Sequence, residues 1–301
     1  MEVVLQNRGI IISNISNMYM VEDCNSNSII KCNARGKFKE KNITPTVGDY
    51  VDFCIIDENK NEGVIDDILE RNNYIKRPKI SNLTQIIFVI SMKMPKPDLL
   101  MLDKQLSFAE FNKIKPIICF NKIDLVQEND INEIEKIYTK IGYEVIKTNA
   151  KDGAGIDILK NKLKNNITAF SGNSGVGKST LINSIFSDEL TKEGSISRKN
   201  KKGKNTTTNT FLYKIDDSTY IADTPGFSTF DISEIKSEDL YKYFIEFKEY
   251  ANNCEFVGCT HIKELNCGIK DAIKIGKISE DRYNRFCKIY LELKEKEAHK
   301  W

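Results

Sequence analysis

The chain has 301 residues, more than one compact domain usually holds and enough for two or three. Its 45 Lys+Arg against 43 Asp+Glu leave a net charge of +2, and 40% of residues are hydrophobic. That balance excludes a disordered chain and a protein that coats nucleic acid by bulk charge, though not one with local basic patches.

Residues 1–70 carry short apolar runs separated by Asn, Ser, Gly and Asp turn signals: Val3–Leu5, Ile10–Ile12, Met18–Val21, Ser28–Cys32, Val51–Ile56 and Gly63–Leu69. They predict a small β-barrel of about five strands. Arg71–Lys79 reads as a polar connector, and residues 71–80 as a linker. From 81 to 231 the pattern is α/β, with buried strands at Gln85–Ser91, Pro116–Phe120, Glu144–Lys147 and Ile167–Phe170. Helices are expected over Leu99–Phe111, over Ile131–Ile141 behind an Asp130 cap, around Leu159 and Leu163, and through Leu181, Ile182 and Ile185. Phe211–Ile215 and Thr219–Ala222 predict a hairpin across Asp216-Asp217. Residues 232–301 read as mostly helical, interrupted by a Cys-rich loop. Eight cysteines in this length make no disulfide framework, and the N-terminal residues lack the basic and apolar regions of a signal peptide. The strongest apolar run, Ile86–Ile90, falls far short of the roughly 20 residues of a membrane span. A soluble, cytoplasmic chain without a membrane partner is expected.

Gly172-Asn173-Ser174-Gly175-Val176-Gly177-Lys178-Ser179-Thr180 fits G-x-x-x-x-G-K-[ST] between a predicted strand and a predicted helix. The glycines let backbone N–H groups close on phosphates, and the helix N-terminus favours the anion. Lys178 would reach the β- and γ-phosphates and Ser179 would ligate Mg²⁺. Asn121-Lys122-Ile123-Asp124 follows a second buried strand, and Asp223-Thr224-Pro225-Gly226 follows a third. With 38 Lys and 29 Asn in the chain, N-K-x-D arises by chance roughly one time in four, so position at strand ends carries the argument. Together the three look like the signature set of a GTPase. By that likeness Asp124 accepts from guanine N1 and its exocyclic amine, and Asn149-Ala150-Lys151 places a backbone N–H at guanine O6. Asp124 precedes Gly172 by 48 residues, the reverse of the ordinary order, so the G domain is circularly permuted.

Cys254-x4-Cys259-x-His261-x5-Cys267 supplies three thiolates and an imidazole, a closed set suited to one tetrahedral, structural Zn²⁺. A barrel, a permuted GTPase and this Cys/His module, in that order, resemble the RsgA (YjeQ) family of small-subunit-dependent GTPases. The resemblance spans the chain and includes Val47-Gly48-Asp49 and Arg77-Pro78. It implies an OB-fold at the N-terminus, GTP hydrolysis to GDP stimulated by the 30S ribosomal subunit, and a role in late maturation of that subunit. It also implies contact with 16S rRNA, a zinc module that touches the ribosome, and a monomer.

Two basic stretches suit rRNA: Lys31, Arg35, Lys37, Lys39 and Lys41 with Phe38 among them, and Arg198–Lys204 in the expected switch I. Phe227 stands where Ras-like enzymes carry a water-orienting Gln. The family's switch I His, in a G-x-H-T-T stretch, is Asn205 here, within Gly203-Lys204-Asn205-Thr206-Thr207. An amide holds a water but exchanges no proton near neutral pH, so slow intrinsic turnover is expected. One of Thr206, Thr207 and Thr208 senses Mg²⁺ and the γ-phosphate, with Thr207 as the candidate. The alternative is a GTP-gated rRNA-binding module with negligible hydrolysis of its own.

Overall fold

In the computed structural model, residues 6–40, 42–190, 210–224 and 231–299 are described. Packing divides the chain into two units: Met1–Ile87 with Gly153–Ser171 and Lys178–Phe227, and Phe88–Asp152 with Gly172–Gly177 and Ser228–Trp301.

The first unit opens with the barrel. Strands β1 (Asn7–Ile15), β2 (Met18–Asp23) and β3 (Ile29–Ala34) pair antiparallel in succession, and β4 (Tyr50–Asp57) and β5 (Glu62–Ile68) pair with each other. β3 runs parallel to β5 and β4 returns to β1, so the five strands close without a free edge, as the turn-punctuated pattern predicts. Alternation turns Ile10, Val21, Cys32, Val51, Phe53 and Ile65 inward. The run Val3–Leu5 lies outside the described residues.

Two details depart from expectation. A four-residue helix, α1 (Lys37–Glu40), interrupts the otherwise all-β segment. It leaves Phe38 at 4% exposure, so Phe38 is a core residue and offers no ring for base stacking. The connector after the barrel is a hairpin of β6 (Tyr74–Lys76) and β7 (Lys79–Ser81). Its anchor is Asp49, fully buried in Val47-Gly48-Asp49, which accepts from Thr46 N, from Ser81 Oγ at 2.6 Å and from two Arg71 nitrogens at 2.7 Å. One carboxylate thus ties the barrel to the hairpin.

β8 (Gln85–Ser91) is buried along its whole length, as a continuous apolar run requires, and carries the chain from the first unit into the second. The second unit continues with α2 (Leu99–Phe111), β9 (Lys115–Asn121), α3 (Glu128–Ile141) and β10 (Glu144–Thr148), with β9 and β10 parallel. Helix α3 begins two residues before the expected cap: Gln127 is the N-cap, and Asp130 sits in the first turn, where its charge favours the positive helix end. In the first unit follow α4 (Ile156–Leu163), β11 (Ile167–Ser171), α5 (Lys178–Leu190), β12 (Phe211–Asp216) and β13 (Thr219–Asp223). β11 is parallel to β13, the β12–β13 hairpin turns at Asp216-Asp217, and β1 of the barrel meets β12 at Ser13 and Phe211.

The C-terminal segment holds short helices, α6 (Lys248–Ala251) and α7 (Gly268–Lys274), and the long α8 (Glu280–Ala298) capped by Ser279. Its core of Leu240, Phe244, Phe247, Phe286 and Ile289 is completed by Leu100, Phe108 and Phe111 of α2. Among the described residues no helix is long and apolar enough to cross a membrane.

Candidate functional site

Asn121, Asn149, Gly172 and Asp223 each stand at the carboxyl end of a parallel strand or directly after it, the side on which open α/β sheets bind ligands. In the second unit, Asn121 ends β9 with 1% of its surface exposed. Its Nδ2 donates to Val176 O at 2.9 Å, while its Oδ1 accepts from Thr148 Oγ1 at 3.2 Å and Ala150 N at 3.3 Å. One amide therefore joins three stretches that the sequence places far apart: Asn121–Asp124, Asn149–Lys151 and the glycine-rich loop.

Lys122 takes a left-handed backbone, φ +61°, and lays its ammonium over the loop, donating to Gly175 O at 2.6 Å and to Met94 O. Ile123 and Asp124 form a single 3-10 turn that leaves Asp124 exposed, with its carboxylate open to a ligand. Asn149 donates to Asp152 at 2.7 Å and accepts from Lys151 N, which fixes the turn presenting the Ala150 and Lys151 backbone. Asn173 donates to Asp98, the N-cap of α2. Ser174 is exposed and Val176 buried.

Two glycines have no substitute here. A Cβ on Gly172 (φ +148°) would lie 2.3 Å from Val89 O, and one on Gly177 (φ +100°) would lie 2.3 Å from Asn121 Nδ2. In the first unit, Lys178 opens α5, with Ser179 and Thr180 exposed in its first turn. Partial burial lowers the Lys178 ammonium from its ordinary value, a cost that a bound anion offsets. Asp223 is the last residue of β13. Asn205, Thr206, Thr207, Thr208, Gly226, Phe227 and the run Arg198–Lys204 lie outside the described residues.

The metal candidate lies wholly within the second unit. The ligand atoms of Cys254, Cys259, His261 and Cys267 all fall within 4.8 Å of one another. His261 Nδ1 is 3.5 Å from Cys254 Sγ and 3.4 Å from Cys267 Sγ, and those two sulfurs are 3.9 Å apart. These are the edges of a tetrahedron with bonds of about 2.3 Å to sulfur and 2.0 Å to nitrogen, and far exceed the roughly 2.05 Å of a disulfide. The donor set fits Zn²⁺, with Nδ1 as the imidazole ligand. Without a cation, burial pushes the Cys259 thiol up to about 12, raises Cys267 and lowers His261. A divalent ion reverses that preference for the thiols by stabilising thiolate.

Spacing alone did not reveal what shapes this knuckle. Glu264 accepts from Thr260 N, Thr260 Oγ1, Ile262 N and Lys263 N at 2.9–3.1 Å, and Lys270 Nζ donates to Ile262 O and Glu264 O. Burial alone would raise the Glu264 carboxyl, but these hydrogen bonds prevail and hold it near 2. The order it imposes is present above its ordinary value of 4.5 and is lost as pH falls toward about 2. Tyr283 Oη donates to His261 O at 2.7 Å, and the Tyr241 ring meets the imidazole edge-on. Cys24, Cys32, Cys54, Cys119 and Cys287 stay outside the cluster. A Cys259→Ser variant is expected to lose about one equivalent of zinc by elemental analysis; undiminished metal would reject the site.

The barrel's basic stretch is less free than its sequence suggests. Arg35 pairs with Asp66, and Lys37 lies 3.5 Å from Asp67, so β5 neutralises two of its cations.

A family profile described as RsgA GTPase matches residues 68–233, and one described as the RsgA N-terminal domain matches residues 8–65. A protein from Clostridium botulinum named small ribosomal subunit biogenesis GTPase RsgA is 42% identical over 98% of this chain and 100% of its own length. The chain belongs to the RsgA GTPase family. It is a GTP-hydrolysing enzyme. An RsgA relative from Alkaliphilus metalliredigens is 40% identical over 96% of this chain and 98% of its own. Among solved structures, YjeQ from Thermotoga maritima superposes with a TM-score of 0.84 at 39% identity, covering 96% of this chain and 99% of that one. YloQ, described as a circularly permuted GTPase, gives 0.82 at 33% identity over 98% of both chains. The closed five-stranded barrel, the permuted RsgA G domain and the Cys3His module agree with the fold class read from sequence.

Proposed function

We propose that the chain acts in small ribosomal subunit biogenesis, binding the 30S subunit through 16S rRNA late in maturation. Hydrolysis of GTP to GDP and phosphate then releases the protein itself or another assembly factor. The observation that carries the nucleotide reading is the Asn121 amide, which binds the N-K-x-D stretch to both the glycine-rich loop and the Asn149 turn. The partner is suggested by the printed name of the relatives, small ribosomal subunit biogenesis GTPase.

Each residue's part follows from its chemistry. Asp124 accepts from the guanine N1 and amine, and an adenine would leave that carboxylate facing an acceptor. The amides of Gly172–Gly177 and the Lys178 ammonium hold the β- and γ-phosphates. Ser179 and Thr207 are the Mg²⁺-side oxygens, the ion neutralising charge on the transferring phosphoryl group. Asp223 and Gly226 belong to the γ-phosphate side. Asn205, or a group supplied by the ribosome, orients the attacking water, because Phe227 cannot. The Cys254/Cys259/His261/Cys267 set holds one structural Zn²⁺. We assign the barrel to 1–70, the linker to 71–80, the GTPase domain to 81–231 and the zinc module to 232–301, in a cytoplasmic monomer without a membrane partner.

Single-turnover hydrolysis of GTP with and without 30S subunits tests this reading. Slow hydrolysis alone and acceleration with 30S are expected, and Asn205→Ala should lower the stimulated rate about tenfold or more. Equal rates for Asn205→Ala and the parent would remove Asn205 from the mechanism. Absence of stimulation would favour the GTP-gated rRNA-binding module, for which Asn205 and Phe227, neither able to move a proton, are the supporting feature.

A further inference from the structure

In the first unit, the hairpin β12–β13 lies between the two stretches that a GTPase uses to sense its γ-phosphate. β12 starts at Phe211, just after the expected switch I, and β13 ends at Asp223, the first residue of Asp223-x-x-Gly226. This hairpin also joins the barrel, yet among the described residues its backbone register with β1 is a single pair, Ser13 with Phe211. Side chains make the rest of the joint. Glu22 on β2 is 5% exposed, and its Oε1 accepts from Lys214 Nζ on β12 at 2.6 Å and from Tyr220 Oη on β13 at 3.0 Å. Lys214 also donates to Asn27 Oδ1 in the turn after β2 at 2.8 Å, and Asn27 donates to Asp217 at the hairpin tip. A buried carboxylate bonded to both strands of a hairpin fixes that hairpin far more firmly than one ladder pair.

We propose that Glu22, Lys214 and Tyr220 form a positioning joint through which contact made by the barrel sets the β12–β13 hairpin, and with it Asp223. The joint lies at no reacting atom. Its action is on how a partner bound to the barrel changes the hydrolysis rate, and it rests on the reading that the 30S subunit is that partner. Glu22 is the common acceptor, so removing its charge loosens both strands at once. Tyr220→Phe deletes one hydroxyl from β13 and leaves the ring in place.

The test measures three quantities for the full-length parent, Glu22→Gln and Tyr220→Phe: basal single-turnover hydrolysis, hydrolysis with saturating 30S subunits, and 30S affinity by co-sedimentation. The expected result is a loss of about tenfold in the stimulated rate, within the usual range of coupling between sites, with basal rate and 30S affinity held within about threefold. The double variant should lose less than the product of the two singles, because both act on one joint. Undiminished stimulation in both variants would overturn the joint. A parallel fall in basal and stimulated rates would also overturn it, leaving a purely structural staple. A parent unresponsive to 30S would instead overturn the partner on which the inference rests. If Glu22→Gln misfolds by its melting curve, Tyr220→Phe alone decides.

Discussion

Replacing Arg282 by Met should lower the unfolding free energy by about 3–5 kcal/mol, the range found when one partner of a buried ion pair is removed. Arg282 projects from α8 with 1% of its side chain exposed, donating to Asp103 of α2 and to Glu246. Asp103 is fully buried as well, and also accepts from Arg285 and from Tyr138 Oη at 3.0 Å. The rings of Tyr138, Tyr143 and Phe244 surround the guanidinium with centroids 4.7–5.7 Å away. Burial alone would lower the Arg282 pKa, but Asp103 and Glu246 prevail and hold it well above its ordinary value. Methionine fills the space but leaves Asp103 and Glu246 short of their shared cation. The internal comparison is Glu292→Gln, which removes the Lys104–Glu292 bridge on the same helix pair. Glu292 is nearly half exposed, so its loss should cost no more than about 1 kcal/mol. Urea unfolding followed by far-UV circular dichroism reads both. A similar cost for the two variants would contradict the ranking by burial.

The second large effect concerns base recognition. Asp124→Ala should weaken GTP binding by about 10²–10⁴-fold, since two hydrogen bonds to a charged acceptor are lost at roughly 1.5–3 kcal/mol each. ATP affinity should change little, because adenine gains nothing from that carboxylate. Titration with fluorescent GDP and competition by ATP measure both, and far-UV circular dichroism reports that the fold is retained. Equal affinity of the parent for ATP and GTP would defeat the guanine assignment.

Much of this was legible in the residues. Short apolar runs between turn signals marked the barrel strands, and the apolar run Gln85–Ser91 matched β8 end for end because full burial permits no polar interruption. The Cys/His spacing matched a set of atoms within one coordination sphere. Three features escaped, two because they depend on partners distant in sequence and one because its partners are nearby backbone groups. Phe38 sits among cations and looks like a surface ring, yet on α1 it is buried. Arg71–Lys79 is polar in composition because Arg71 serves the buried Asp49, not because the segment is unstructured. Glu264 organises the Cys/His knuckle through backbone donors, which leave no trace in side-chain spacing.

The α2 wall of the C-terminal core has a bearing on how this protein is made. A chain emerging from the ribosome can close its barrel once β5 at Glu62–Ile68 is out, long before synthesis ends. The second unit has no such early finish. Leu100, Phe108, Phe111 and the carboxylate of Asp103 are synthesised well over a hundred residues before Phe286 and Arg282, which cover them. Until α8 emerges, that apolar stripe and its unpaired charge stay open to solvent and to chaperones. A nascent chain stalled between Phe111 and Arg282 should therefore carry a folded barrel and an exposed, aggregation-prone helix, and closure of that core waits for the first turns of α8.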